Sequence, residues 1–293
     1  MTQAKALRRL LAGPKAVIAP GAANALTARI IEEAGFDMLM FTGAGFANFE
    51  FGVPDLGLTT MTEVVEQVAR ITNAVGIPVL ADGDTGYGNA LNVQRTVRDL
   101  ERAGAAGIFF EDQVFPKRCG HFGGKEVISQ EEMVLKLKAA LDARTNSQTV
   151  IIARTDAYAT HGLDAAIERA QAYAEIGVDA TFVEAPQTQS DLAEIPKRIS
   201  VPQVANIVEG GKTPALPLET LEAMGFRVVF YANAAMRAAA KGMKDVLEAL
   251  RRDGTTEGVL DRMVSWPERQ RLVKLAEFAD TEARYAVDMR ERP

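Results

Sequence analysis

The segment Phe110–Lys125, FEDQVFPKRCGHFGGK, gathers residue types that can do chemistry. It holds the only cysteine, Cys119, and one of two histidines, His121. Lys117 and Arg118 precede the cysteine, and Gly120, Gly123 and Gly124 follow it. Positive charge beside a thiol lowers its pKa, so this spacing predicts a partly exposed, reactive Cys119. The ordinary alternative for a lone cysteine is an inert core residue. The apolar run Gly107–Phe110 ends on Glu111-Asp112. That is the pattern of a buried strand opening into a charged, glycine-rich loop.

Other short apolar runs also stop at polar residues: Thr42-Gly43-Ala44-Gly45, Asp82-Gly83-Asp84, Arg154-Thr155-Asp156, Glu184 and Asn206. One acid at a strand end reads as a helix cap or a solvated charge. Several together predict a convergent rim. Asp82, Asp84 and Glu111 offer three hard oxygen donors and leave room for water and substrate, which suits Mg²⁺, with Mn²⁺ the alternative ion. One cysteine and two distant histidines do not build a zinc cage of the usual kind. Arg154 is a bidentate clamp for a substrate carboxylate. The glycine-rich turn after Thr42 offers backbone N–H groups to an anion. A small anionic carboxylate that chelates a metal fits this rim. No GxSxG is present, which removes a serine hydrolase of that kind. His161, before Gly162, reads as a solvated loop residue.

The elements that must position these residues repeat one unit. A helical pattern ends in glycine, a short apolar strand follows, and the strand stops at a polar residue. The strand runs are Val17–Ala19, Met38–Phe41, Val79–Ala81, Ile108–Phe110, Val150–Ala153, Thr181–Val183, Gln203–Ala205 and Val228–Phe230. Amphipathic stretches lie between them, at Thr62–Val75, Asn92–Ala103, Gln130–Ala143 and Leu163–Ile176. Short, uniformly apolar strands suit a parallel sheet buried on both faces. Eight units predict an α/β fold, a (β/α)8 TIM barrel whose site lies at the C-terminal strand ends. An open doubly wound sheet is the runner-up, but no GxGxxG follows the first strand.

The 293-residue chain shows no linker, repeat tract or charge block, so a single barrel domain over 1–293 is expected. With 47% hydrophobic and 25% charged residues it reads as globular. The net charge of −6 and the lack of a basic block argue against nucleic acid. No apolar run reaches the roughly 18 residues that span a bilayer. MTQAKALRRLLAG reads as a surface helix rather than a signal peptide, and one cysteine points to a reducing, cytoplasmic setting. The tail from about Asp261 to Met289 reads as helical and rich in large apolar residues. It packs either on its own barrel or on a neighbouring subunit.

These motifs resemble the isocitrate lyase and phosphoenolpyruvate mutase superfamily. KRCGH at Lys117–His121 is similar to its lyase signature. DGDTGYGN at Asp82–Asn89, GVPDLG at Gly52–Gly57, EDQ at Glu111–Gln113 and VEGGKTP at Val208–Pro214 match as well. The likeness runs from Pro20 to about Ala286, nearest to the 2-methylisocitrate and 2,3-dimethylmalate lyases. It implies a barrel whose eighth helix is swapped between subunits of a dimer or tetramer, with helices of about 255–290 on the neighbour. It implies Mg²⁺ on Asp82, Asp84 and Glu111, a 2-oxo acid gripped by Thr42, Gly43 and Ala44, and Asp55 lining the site. Arg118 and Gly120 join the substrate contacts, Arg154 binds carboxylate, and Glu184 with Asn206 orients the second half of the substrate. Cys119 is cast as the general acid on a mobile lid, with Lys117 and His121 in the catalytic loop. The implied reaction is retro-aldol cleavage of a 2-hydroxy di- or tricarboxylate to pyruvate or glyoxylate plus a carboxylate such as succinate or propionate. The alternatives are oxaloacetate hydrolysis or decarboxylation, carboxyphosphonoenolpyruvate phosphonomutase-like chemistry, and an inactive barrel used for binding. Where many of these lyases carry a tyrosine base, this chain has Met40. The resemblance therefore leaves the base to a metal-bound water or to Tyr87.

Overall fold

The computed structural model describes residues 2–121 and 123–286. The chain divides into two compact units, Met1–Met236 and Arg237–Pro293. In chain order the first unit runs α1 (Gln3–Ala12), β1 (Val17–Ala22), α2 (Ala25–Glu33), β2 (Leu39–Phe41), α3 (Gly43–Glu50), α4 (Met61–Thr72), β3 (Val79–Asp82) and α5 (Ala90–Arg102). It continues with β4 (Gly107–Glu111), α6 (Gln130–Ala143), β5 (Val150–Thr155), α7 (Tyr158–Glu175), β6 (Ala180–Val183), α8 (Gln189–Arg198), β7 (Gln203–Asn206), α9 (Leu218–Met224) and β8 (Phe226–Tyr231). The eight strands close into one barrel in sequence order, and every pairing is parallel. This is the predicted (β/α)8 TIM barrel.

Side chains alternate across each strand, and the alternation decides what reaches the site. Met40, Leu80, Phe109, Ile152, Phe182, Val204 and Phe230 share one cluster, the barrel interior. Ile108, Phe110, Ile151 and Ala153 belong to a second cluster, packed with residues of α4, α5 and α6. Two residues beyond each interior position lie Thr42, Asp82, Glu111, Arg154, Glu184, Asn206 and Ala232. The polar stops thus project from the top of the barrel interior. Phe109, Phe182 and Phe230 stack beneath them with ring centroids 5.5 to 6.2 Å apart. At the opposite end, Leu7 and Leu11 of α1 join the interior cluster. The expected surface helix is therefore half plug: its apolar side closes the N-terminal mouth of the barrel.

The helices start where capping chemistry allows. Thr60 and Glu63 form a reciprocal capping box on α4, and Ser129 caps α6. The helix α3 has no counterpart among the predicted segments, because GAGFANFE holds two glycines, which weaken a helical signal. What the sequence suggested as a glycine-rich turn is the first turn of this helix. His161 likewise lies in α7 rather than in a loop, although exposed, and α7 breaks at Gly162 with φ 84°.

The second unit holds most of α10 (Ala234–Asp253), a 3₁₀ turn at Glu257–Arg262, α11 (Trp266–Leu272) and α12 (Leu275–Tyr285). The predicted helical tail is present through Tyr285, and its last residues, 287–290, lie outside the described residues. Met243, Leu247 and Leu250, spaced four and three apart on α10, are exposed, as are Trp266, Phe278 and Tyr285. Among the described residues no helix is long and apolar enough to cross a membrane.

Candidate active site

One pocket sits on the C-terminal ends of the strands. Its lining includes Thr42, Ala44, Asp55, Asp82, Lys117, Cys119, Gly120, His121, Arg154, Glu184 and Asn206. These residues come from β2, β3, β5, β6, β7 and two loops, so the fold assembles nearly all the predicted positions. Glu111 joins them through Arg154, whose Nη1 is 3.2 Å from Glu111 Oε2. The register that pairs Glu111 with Arg154 across β4 and β5 sets that contact. The space left in the pocket is about 40 Å³, far under the roughly 300–1,000 Å³ usual for small-molecule sites. Lys117, Cys119, Gly120 and His121 of the loop after β4 fill much of the space over the strand ends.

Each acid has a definite environment. Asp82 Oδ1 accepts from Asp84 N at 3.0 Å and Oδ2 from Gly43 N at 3.3 Å. Burial, then the charge of Asp84, pushes its pKa up to about 6. Burial also raises Glu111 well above the usual carboxylate range, against the pull of Arg154 and Lys117. Lys117 Nζ reaches Asp55 Oδ1 and Asp84 Oδ1, each at 2.6 Å. Burial opposes its charge, but Asp84, Glu111, Asp55 and Asp82 outweigh that and hold the ammonium protonated. The contact at Asp84 Oδ1 is an ion pair out of line for a hydrogen bond. Glu111 Oε1 is buried and meets no donor.

Among the described residues no three His, Cys, Asp or Glu side chains converge on one point as a ready metal cage. Lys117 and Arg154 lie among the three acids instead. The donor set still suits a hard divalent cation: all three ligands are carboxylates, nearly dry, and Glu111 Oε1 is an orphaned oxygen.

Arg154 is held by Asp156, which takes Nε at 2.9 Å and Nη2 at 3.1 Å. Its guanidinium lies over the Phe182 ring, 5.4 Å from the centroid. Burial raises the pKa of Asp156, but Arg154 and Lys125 outweigh it and bring it to about 2. Asp112, the neighbour of Glu111, points the other way. It accepts from Thr155 Oγ1, Asp156 N, Tyr173 OH and Arg169 Nη1 at 2.7 to 3.1 Å.

The loop over the pocket is pinned at several points. Cys119 N donates to Asp55 O at 3.2 Å. The Gln113 side chain bonds both backbone groups of Arg118, at 2.8 and 2.9 Å. His121 Nδ1 accepts from Lys212 N at 3.1 Å, which leaves the proton on Nε2, 3.2 Å from Glu184 Oε1. That last contact is close but not an aligned hydrogen bond. Burial raises Glu184, yet Arg154 and His121 bring its pKa below the usual range. Gly120 has no room for a side chain: a Cβ would lie 2.3 Å from Glu184 Oε1 and 2.5 Å from Arg154 Nη2.

Two expectations change. Cys119 is partly exposed as predicted, but its pKa is raised, mainly by burial, rather than lowered. The two basic residues beside it in sequence are elsewhere in space. Lys117 is neutralised by Asp55 and Asp84, and Arg118 is exposed and lines a separate groove with Gln113 and Phe115. Arg118 is thus not part of the pocket wall. Burial, then Asp84, raises the phenol of Tyr87 well above the ordinary value. Sequence reasoning missed Asn233, which lines the pocket with a buried, unpartnered Oδ1, and gave no role to Lys125 or Asp156. Extending the inward alternation of β8 past Phe230 would have brought the strand end, and Asn233 just beyond it, into view.

The family model described as phosphoenolpyruvate phosphomutase matches residues 7–251. The chain is 47% identical to 2,3-dimethylmalate lyase of Eubacterium barkeri, over 98% of this chain and 99% of that one. It is 42% identical to 2-methylisocitrate lyase of Shewanella oneidensis, over 90% and 91%. A crystal structure of 2,3-dimethylmalate lyase, described as a PEP mutase/isocitrate lyase superfamily member, superposes with TM-score 0.92 at 35% identity, covering 99% and 98%. Oxaloacetate acetylhydrolase bound to 3,3-difluorooxalacetate gives 0.91 at 33% identity, covering 96% of each chain. Phosphonopyruvate hydrolase in complex with oxalate and Mg²⁺ gives 0.87 at 35% identity, covering 97% and 99%.

Proposed function

This chain belongs to the phosphoenolpyruvate phosphomutase family and is an enzyme of the PEP mutase/isocitrate lyase superfamily, and on that premise we propose that it cleaves a carbon–carbon bond in a 2-hydroxy di- or tricarboxylate of the 2,3-dimethylmalate or 2-methylisocitrate type. The products are a 2-oxo acid, pyruvate or glyoxylate, and a carboxylate such as propionate or succinate. The observation that carries this reading is a largely buried thiol, its pKa raised mainly by burial, lining the same pocket as an arginine clamp and an acid cluster.

Mg²⁺, or Mn²⁺ in its place, would be held by Asp82, Asp84 and Glu111 and would polarise the substrate's hydroxyl and carboxylate. Arg154 spends two of its five N–H donors on Asp156 and sets Nη1 against Glu111, and its remaining N–H groups would meet a substrate carboxylate. The N-terminal turn of α3, at Thr42, Gly43 and Ala44, presents the positive end of a helix to the 2-oxo acid half, with the N–H groups of Thr42 and Gly43 bonded to Ala22 O and Asp82 Oδ2. Asp55 fixes Lys117, and Glu184 with Asn206 orients the second half. When the hydroxyl proton passes to a water beside the substrate and the C–C bond breaks, the bonding electrons stay on the departing carbon. Cys119 Sγ–H gives that carbon its proton, and burial keeps the thiol in the protonated form this step requires. Gly120 and His121, docked on Glu184, keep bulk water from competing. Met40 has no proton-accepting atom, and the Tyr87 phenol is held neutral.

Incubation with Mg²⁺ and, separately, 2,3-dimethylmalate, 2-methylisocitrate, isocitrate and oxaloacetate tests the reading, with pyruvate and glyoxylate assayed. Turnover of one of the first three is expected, and Cys119→Ser should lower its kcat by about 10²–10⁴-fold. Loss of oxaloacetate alone would replace the lyase reading with hydrolase or decarboxylase chemistry, a rival supported by the likeness to oxaloacetate acetylhydrolase. We place the protein in the cytoplasm, as a dimer or tetramer in which the C-terminal helices pack on a neighbouring subunit. Their exposed apolar residues support that arrangement.

A further inference from the structure

Lys125 closes the loop that carries Cys119, yet nothing above gives it a catalytic task. Its side chain is 1% exposed. Its ammonium donates to Gly120 O and to Asp156 Oδ1, both at 2.5 Å. Gly120 is the residue after the thiol. Asp156 is the carboxylate that takes Nε and Nη2 of Arg154. One ammonium therefore joins the backbone beside the proton donor to the anchor of the substrate clamp. Gly124, at φ 71°, turns the chain so that Lys125 can reach back beneath the loop.

We propose that Lys125 is a positioning residue, which sets the distance between the Cys119 thiol and the Arg154 guanidinium by bridging Gly120 and Asp156. Asp156 retains Arg154 when Lys125 is removed, so the clamp keeps its charge balance. The Gly120 carbonyl loses the one donor shown for it, and with it the hold on the thiol. The assignment deepens the lyase reading but is tested without it.

The first measurement uses no substrate: the rate at which N-ethylmaleimide alkylates Cys119 in the full chain. In Lys125→Met the rate rises by roughly tenfold or more, the expected scale for losing one buried, charge-assisted hydrogen bond. Lys125→Arg, which keeps charge and donors, stays near the wild-type rate. The second measurement uses whichever substrate the chain turns over. Lys125→Met lowers kcat much more than it changes KM, because the clamp remains. An alkylation rate in Lys125→Met equal to wild type overturns the assignment, whatever the substrate proves to be. Should Lys125→Met not fold, Lys125→Gln, which is too short to bridge Gly120 O and Asp156 Oδ1 together, is read on the same scale. Absence of any lyase turnover together with accelerated alkylation would remove the lyase reading and leave Lys125 in place.

Discussion

Asp156 shows how a single residue's surroundings set both its charge and its value to the fold. Its ordinary pKa would be 3.8, and Arg154 with Lys125 brings it to about 2 despite burial. A carboxylate whose pKa falls on folding stabilises the native state above its unfolded pKa and loses that contribution as pH falls through the folded value. The window is therefore about pH 4 down to about pH 2. Asp156→Asn should lower the urea midpoint at neutral pH, since it leaves two cations with one carboxylate fewer. The gap between wild type and variant should narrow as the pH is lowered through that window, and equilibrium unfolding at several pH values checks it. Cys119 teaches the complementary lesson. Neighbours in sequence promised positive charge beside the thiol, but an extended loop sends Lys117 inward and Arg118 outward, and burial decides the outcome.

At the scale of elements, the strands were legible because parallel strands buried on both faces must be short and apolar. All eight appear, and so do the helices that carry strong amphipathic patterns. The helix α3 was not legible, since its tertiary setting overrides two glycines. The rim residues followed from strand ends, but their pairings did not, because an ion pair such as Lys117 with Asp84 joins segments far apart in the chain. Asp112 illustrates the gap. It reads as one half of an acidic pair, yet alternation turns it away from the pocket to join β5 to α7 through Thr155, Arg169 and Tyr173. Asp112→Ala strips that buried network of its acceptor and strands Arg169. The cost should be about 3–5 kcal/mol of stability, read as a lower denaturation midpoint, and Arg154 should lose orientation along with the Asp156 backbone.

At the scale of the whole molecule, two apolar surfaces ask for cover. An apolar groove of about 380 Å³ lies beside β1 and β8, lined by residues such as Ile18, Pro20, Ile30, Phe36 and Tyr231. Exposed Met243, Leu247 and Leu250 form a stripe along α10. Leu247→Glu is expected to shift the assembly toward monomer, which light scattering after size-exclusion chromatography measures. An unchanged mass would remove α10 from the interface. The plug at the bottom of the barrel carries a different consequence. With Leu7 and Leu11 closing one end and three packed phenylalanines beneath the rim, substrate and products of the proposed reaction would share the C-terminal face as their doorway. Molecules that share one doorway queue. On the lyase reading proposed above, the fragment protonated by Cys119 would lie at the loop and the other deeper, beside α3 and Asp82, so ordered product release, read by product-inhibition kinetics, is the expected outcome.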